Sequence, residues 1–116
     1  MANPNLLQPT TIYGQTAVQL VDTVATAIVA NPTASNKIYK ISALYVSSVG
    51  AMDGQLDVIL TRQSIDYRLA LNIAVPVGSR IDVITKHIYL KEGDSLMLEA
   101  SATSSLEAIC SYEEIG

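Results

Sequence analysis

The sequence has little of what catalytic and metal-binding proteins use most often. Its 116 residues include one cysteine, one histidine and no tryptophan or phenylalanine. The lone Cys110 forms no internal disulfide and leaves no CxxC or Cys/His spacing for zinc. A Ser/His/Asp arrangement has only His87 to build on, and no GxSxG motif accompanies it. We therefore expect no catalytic residues, no metal site, no bound cofactor and no enzymatic activity.

Long apolar runs and clustered positive charge are also missing. No apolar segment approaches the roughly 18 to 20 residues that a membrane-spanning helix needs. Seven basic residues are dispersed among eleven acidic ones, for a net charge of -4, so no basic footprint for a phosphate backbone is visible. The first residues lack a basic segment followed by an apolar one, as a secretory signal requires. We expect neither nucleic acid nor a membrane as a partner, and synthesis in a cytoplasm.

What the sequence does contain is a series of short aliphatic segments with alternating polarity. Hydrophobic residues make up 49% of the chain, and turn-forming residues separate the segments at intervals of about 8 to 12 residues. We predict strands within residues 16–30, where a helix is an alternative, and over residues 37–47, 55–62, 67–73, 80–84, 88–90, 95–101 and 106–112. The pattern predicts an all-β fold, an antiparallel β-sandwich of jelly-roll or related Greek-key type with about eight strands.

The first sixteen residues differ in composition from the rest. They are rich in Asn, Gln, Thr and Pro, with Leu6, Leu7, Ile12 and Tyr13 as scattered apolar positions. We predict an extended N-terminal arm over residues 1–16 and a single β-sandwich domain over residues 17–116. Terminal segments of this kind are either disordered or held on a neighbouring subunit, and the sequence leaves both outcomes open.

The strand faces that alternation assigns to solvent carry many aliphatic side chains. Ile41, Ile59, Ile84, Met97 and Ile109 recur there beside a few acidic and serine residues. Side by side, such residues form a patch that a monomer rarely exposes. We therefore predict a protein interface, and a homo-oligomer, built from these residues together with the four apolar residues of the arm.

Three C-terminal segments resemble small virion structural proteins of tailed phages, including phages of cyanobacteria. The segments are VPVGS at 75–79, IYLKEGDSL at 88–96 and SYEEI at 111–115. The resemblance implies a β-sandwich that decorates or cements a capsid, or that belongs to the neck or tail. It implies location in the virion after synthesis in the host cytoplasm, contacts with the major capsid protein or with neck and tail proteins, and no enzymatic site.

The sequence thus favours a non-enzymatic virion structural protein, with capsid decoration or cement as the first expectation. A neck, tail or fibre-attachment protein is the alternative within the same class. A carbohydrate-binding module or adhesin subunit is the alternative from another class, and it would present exposed tyrosines on a concave face.

Overall fold

The computed structural model describes residues 7, 11–50, 53–84, 86–101 and 106–116. These residues form strands, turns and loops, and none of them is helical. The strands are β1 (Ile12–Leu20), β2 (Thr26–Ala30), β3 (Ile38–Ser48), β4 (Gly54–Arg62), β5 (Ile65–Val75), β6 (Arg80–Ile84), β7 (Ile88–Leu90), β8 (Ser95–Ala100) and β9 (Leu106–Ile115). Within this described part, no helix could cross a membrane.

The strands form two sheets. Sheet A has the order β1-β9-β3-β6, with β7 also paired to β3, and sheet B has the order β2-β8-β4-β5. Every pairing between these strands is antiparallel. The predicted β-sandwich is therefore confirmed, and residues 16–30 contribute strands rather than a helix.

The connectivity is that of a jelly roll. Strand β4 pairs with β5, β3 pairs with β6 and β7, β2 pairs with β8, and β1 pairs with β9. One long antiparallel hairpin is thus folded over so that its successive parts join different sheets, which is how a jelly roll closes around a core. The described residues contain nine strands rather than about eight because β6 and β7 share one edge position of sheet A.

The core lies between the two sheets and is almost entirely aliphatic. Leu44 on β3 pairs with Cys110 on β9, and Val46 pairs with Ala108. These four side chains are buried, and they belong to one core cluster with Leu56, Val58, Leu96 and Leu98 of sheet B. Because side chains alternate along a strand, each of these strands places every second residue in the core.

A β-bulge in β3 overturns the predicted exposure of Ile41. Ile41 pairs with Tyr112 while Ala43 pairs with Ser111, so Ser42 is an extra residue. One extra residue reverses the alternation, and Ile41 therefore points into the core together with Leu44. Ile41 is fully buried, and its assignment to a solvent-facing surface was wrong.

Ile59 and Ile84 are also buried, contrary to prediction. Ile59 lies on β4 in the middle of sheet B, between Met97 on β8 and Arg68 on β5. It is 2% exposed yet does not belong to the core cluster, so its neighbours on the sheet surface cover it. Ile84 pairs with Leu44 beside a register shift in the β3–β6 pair and packs into the core.

The predicted boundary between arm and domain cuts through a strand. β1 starts at Ile12, and its residues pair with β9 from Ile115 down to Glu107. Residues 12–16, assigned to the arm by composition, are therefore part of sheet A. Of the earlier residues only Leu7 and Thr11 are described, and the rest of the predicted arm, including Leu6, lies outside the described residues.

Candidate protein interface on sheet A

The outer face of sheet A carries a row of apolar side chains across three strands. Val18 on β1 pairs with Ile109 on β9, and Ile109 in turn pairs with Tyr45 on β3. Paired residues on neighbouring strands share a face of the sheet. In the adjacent row, Leu20 pairs with Glu107, which pairs with Ser47. The two rows form one continuous surface.

These rows line a shallow groove of about 320 Å³, which we call the apolar groove. Its lining residues are Val18, Gln19, Leu20, Ser47, Glu107, Ala108 and Ile109. Val18 is 74% exposed, Leu20 55% and Ile109 45%. Three large aliphatic side chains that are this exposed and this close together form a contiguous patch, which is typical of a protein contact surface.

Charged side chains border the apolar groove, and one of them, Glu107, is among its lining residues. The guanidinium of Arg80 lies 4.7 Å from the centre of the Tyr45 ring, and its Nε is 3.6 Å from Asp82. Farther along the sheet, Lys40 Nζ is 3.9 Å from Glu113. Exposed pairs of this kind add little to stability. An apolar centre with a charged rim is, however, the usual composition of a protein interface.

The structure brings together only part of the predicted interface. Ile109 joins the apolar groove, and Ile12 lies on the same face near the other end of β1, about 20 Å away along the strand. Tyr13 is exposed on the opposite face of β1, with Lys37 Nζ 5.7 Å from its ring centre. Met97 is partly exposed on sheet B, and Leu7 is exposed ahead of β1.

Sequence reasoning missed two of the three large aliphatic residues that line the groove, Val18 and Leu20. Both lie in a segment with the alternation expected of a strand, but alternation does not tell which set faces the core. One signal was available: β1 contains no charged residue at all. Such a strand lacks the charges that usually keep an exposed edge from pairing.

A second distinctive region is a polar cluster at the other end of β3, which we call the loop cluster. It joins the loop between β2 and β3, the end of β4 and the loop between β7 and β8. Arg62 donates two hydrogen bonds to Asp94 Oδ2, at 2.6 and 3.0 Å, and Asp94 Oδ2 also accepts the Lys91 N–H. The Asn31 amide donates to the carbonyl oxygens of Lys37 and Leu90.

Two carboxylates of the loop cluster are buried. The Asp94 side chain is 3% exposed, and its bond to Arg62 raises the pKa of the guanidinium. Glu92 is 6% exposed, with one oxygen accepting the Asn36 N–H and the other without a partner. In the described residues no three His, Cys, Asp or Glu side chains are grouped as metal ligands. The observed contacts join loops to one another.

The two residues singled out for reactivity lie apart. Cys110 is fully buried in the core, and burial raises the pKa of its thiol to about 12, so it stays protonated and weakly nucleophilic at neutral pH. Cys110 therefore acts as a packing residue of the core. His87 is exposed next to Lys86, with its ring 5.6 Å from that of Tyr89.

Comparison with known proteins supports the fold and leaves the family open. No protein-family model matches the chain, and none of the curated proteins searched matches it either. Among solved structures, a subunit of the disulfide-linked pili that form Bacillus endospore appendages matches with a TM-score of 0.58 at 15% identity. The match covers 93% of this chain and 89% of that one. A likeness at this identity establishes a shared β-sandwich fold.

Proposed function

We propose that this protein is a structural subunit that packs the outer face of sheet A against another protein in a large assembly. The observation that carries this proposal is the apolar groove, where Val18, Leu20 and Ile109 are exposed side by side. Full burial of an exposed aliphatic side chain is worth about 1.5 to 3 kcal/mol, and these three are 45% to 74% exposed, so covering them contributes a few kcal/mol in total before the costs of association.

The assembly we favour is the particle of a tailed phage. The resemblance of residues 75–79, 88–96 and 111–115 to small virion proteins supports this choice, and the jelly roll is a fold that viral capsid domains use. Capsid decoration or cement is the first role, with a neck, tail or fibre-attachment position as its alternative. The major capsid protein or a neck or tail protein then contacts the apolar groove.

A filament subunit is the second candidate, and the fold likeness to the Bacillus pilus subunit favours it. That pilus is disulfide-linked. In this chain the only cysteine is Cys110, which is buried in the core. A filament of these 116 residues would therefore depend on non-covalent contacts.

A carbohydrate-binding role receives less support from the positions of the exposed tyrosines. Tyr13 lies on β1 and Tyr89 on β7, at opposite edges of sheet A, while Tyr67 lies on β5 in sheet B. Sugar rings bind where aromatic side chains share one surface. Among the described residues, the three most exposed tyrosines share none.

The test is binding of the purified protein to particles stripped of it, with Ile109→Lys as the disrupting variant. We expect affinity to fall at least about tenfold, because a charge in the centre of an interface is costly. Val77→Lys is the matched control, since Val77 is 47% exposed in a loop before β6 and outside the groove. Equal affinity of the two variants would contradict a role for the apolar groove.

Mass spectrometry of purified particles separates the virion roles. A decoration or cement protein is expected in many copies per particle, and a neck or tail protein in few. Absence from particles would exclude both virion roles and leave the filament, for which the same Ile109→Lys variant should block assembly in vitro.

A further inference from the structure

The described strands leave four edge positions in the two sheets, and three of these edges are protected against pairing with another strand. β2 is short and its register shifts between Ala27 and Val29. β5 has two register shifts and carries Asp66 and Arg68, while β6 and β7 divide their edge into two short pieces, of which β6 has a register shift. Short strands, bulges and charges are the devices by which sheets discourage edge-to-edge association.

The fourth edge, β1, has none of these devices. Its nine residues, IYGQTAVQL, pair with β9 in one unbroken register and include no charged residue and no proline. Seven of the nine residues are exposed. A long, regular and uncharged edge is a template for strand addition.

The register shows which backbone groups of β1 are directed outward. Thr11 exchanges two hydrogen bonds with Gly116, and the Val21 N–H donates to the Leu106 carbonyl. In an antiparallel pair, residues alternate between bonding to the partner strand and pointing away from it. Odd-numbered residues of β1 thus bond to β9. The outward-directed N–H and C=O groups, which face an edge that no other described strand pairs with, are those of Ile12, Gly14, Thr16, Val18 and Leu20.

We propose that a second copy of this chain occupies this edge, with the two β1 strands antiparallel across a two-fold axis at Thr16. This inference rests on the proposed function and names one partner of the subunit. The contact uses the edge of sheet A and leaves the apolar groove free for another protein. In a symmetric dimer the same strand of both copies meets at the axis, so charged residues near the axis would face like charges of the second copy. β1 has no charged residue, and this repulsion is therefore absent.

The position of the axis follows from strand geometry. Paired residues must share a sheet face, so the axis passes through a residue and not between two. Only an axis at Thr16 pairs all nine residues, and it forms about ten backbone hydrogen bonds from the five outward-directed residues. It also places Ile12 opposite Leu20 of the second copy, and Gly14 opposite Val18. The two sheets then join into one, with an apolar groove in each copy.

The experiment measures the mass of the full chain by analytical ultracentrifugation over the micromolar range. We expect a monomer–dimer equilibrium for the wild type. Thr16→Lys and Thr16→Glu should each weaken dimerisation by about tenfold or more, because like charges face each other at the axis. An equimolar mixture of the two variants should restore the dimer as a heterodimer. Thr26→Lys, the same change on the β2 edge, is the control and should dimerise like the wild type.

Three results would overturn the proposal. A wild type that stays monomeric throughout the range excludes a second copy at this edge. A dimer that tolerates both Thr16 variants does not use β1, and variants that fail to restore each other exclude an axis at Thr16. The proposed function is tested separately from the dimer. A wild type that is monomeric but still binds particles would overturn the dimer and leave the proposed function intact. A wild type that dimerises but is found in no larger assembly would overturn the proposed function and leave the dimer intact.

Discussion

The two ends of β3 differ in which side chains are buried near them and which are exposed. At the loop cluster, the carboxylates of Asp94 and Glu92 are buried, and Asp94 is held by Arg62. At the apolar groove, Val18 and Leu20 are exposed. In most monomeric proteins charges lie outside and large aliphatic residues inside.

The difference indicates what each end contributes. Burying a carboxylate is unfavourable unless hydrogen bonds compensate, so the contacts of Asp94 serve to fix the loops that close the sandwich. Exposing aliphatic side chains gains nothing for the isolated fold. The loop cluster therefore maintains the structure, and the groove is available for a partner.

The largest expected difference in stability is between variants of Ile41 and Ile109, which the sequence analysis assigns to the same surface. Ile41→Ala should destabilise the fold by about 2 to 5 kcal/mol, because it leaves a cavity in the core. Ile109→Ala should cost only about 1 kcal/mol, because Ile109 is 45% exposed and its truncation leaves no enclosed cavity. Urea denaturation of both variants measures the contrast.

Equal losses in the two isoleucine variants would contradict the bulge at Ser42. Without that bulge Ile41 would face solvent, and the alternation of β3 would run unbroken. The comparison is therefore a test of the local register as well as of burial.

The next effect contrasts two aspartates. Asp94→Ala should cost about 2 to 4 kcal/mol, since it removes a buried acceptor and leaves Arg62 and the Lys91 N–H without it. Asp82→Ala should cost less than about 0.5 kcal/mol, because its contact with Arg80 is exposed. Thermal unfolding at low and high salt measures both. A small loss for Asp94→Ala would show that the loop cluster is not essential for stability.

The fold was predictable from sequence because strand alternation and turn residues are local properties. Gly93 is an example: its place in the KEGD turn predicts a positive φ, and it has one of 84°. The segments 80–84 and 88–90 were found with the bounds that β6 and β7 have. The sequence does not distinguish a jelly roll from a related Greek key, because strand pairing is not a local property.

The interface was less predictable than the fold. Alternation shows which residues share a face of the sheet only as far as the first bulge, after which the two sides are exchanged. Ser42 reverses the side of Ile41, and nothing in KIYKISALYVS marks it. Ile59 shows a second limit, since its side chain is covered by neighbours from β5 and β8 that only the sheet order brings together. The composition of residues 1–16 likewise could not show that β1 starts at Ile12.

The smallest expected changes in stability are those of two glycine variants, at Gly54 in the interior and at Gly14 on the edge strand β1. A Cβ at Gly54 would lie 2.7 Å from Leu106 Cδ2. Leu106 is fully buried and has little room to shift, so Gly54→Ala should cost about 1 to 2 kcal/mol. A Cβ at Gly14 meets nothing within 4 Å.

Gly14→Ala should therefore stabilise the monomer by about 0.5 to 1 kcal/mol, because alanine loses less backbone freedom than glycine on entering a strand. Urea denaturation at a protein concentration below the dimerisation range measures this gain without the contribution of a partner. A loss of stability in Gly14→Ala under these conditions would mean that the outer face of β1 is already covered at this position within the single chain. The contrast between a protected interior and an open edge would then no longer hold.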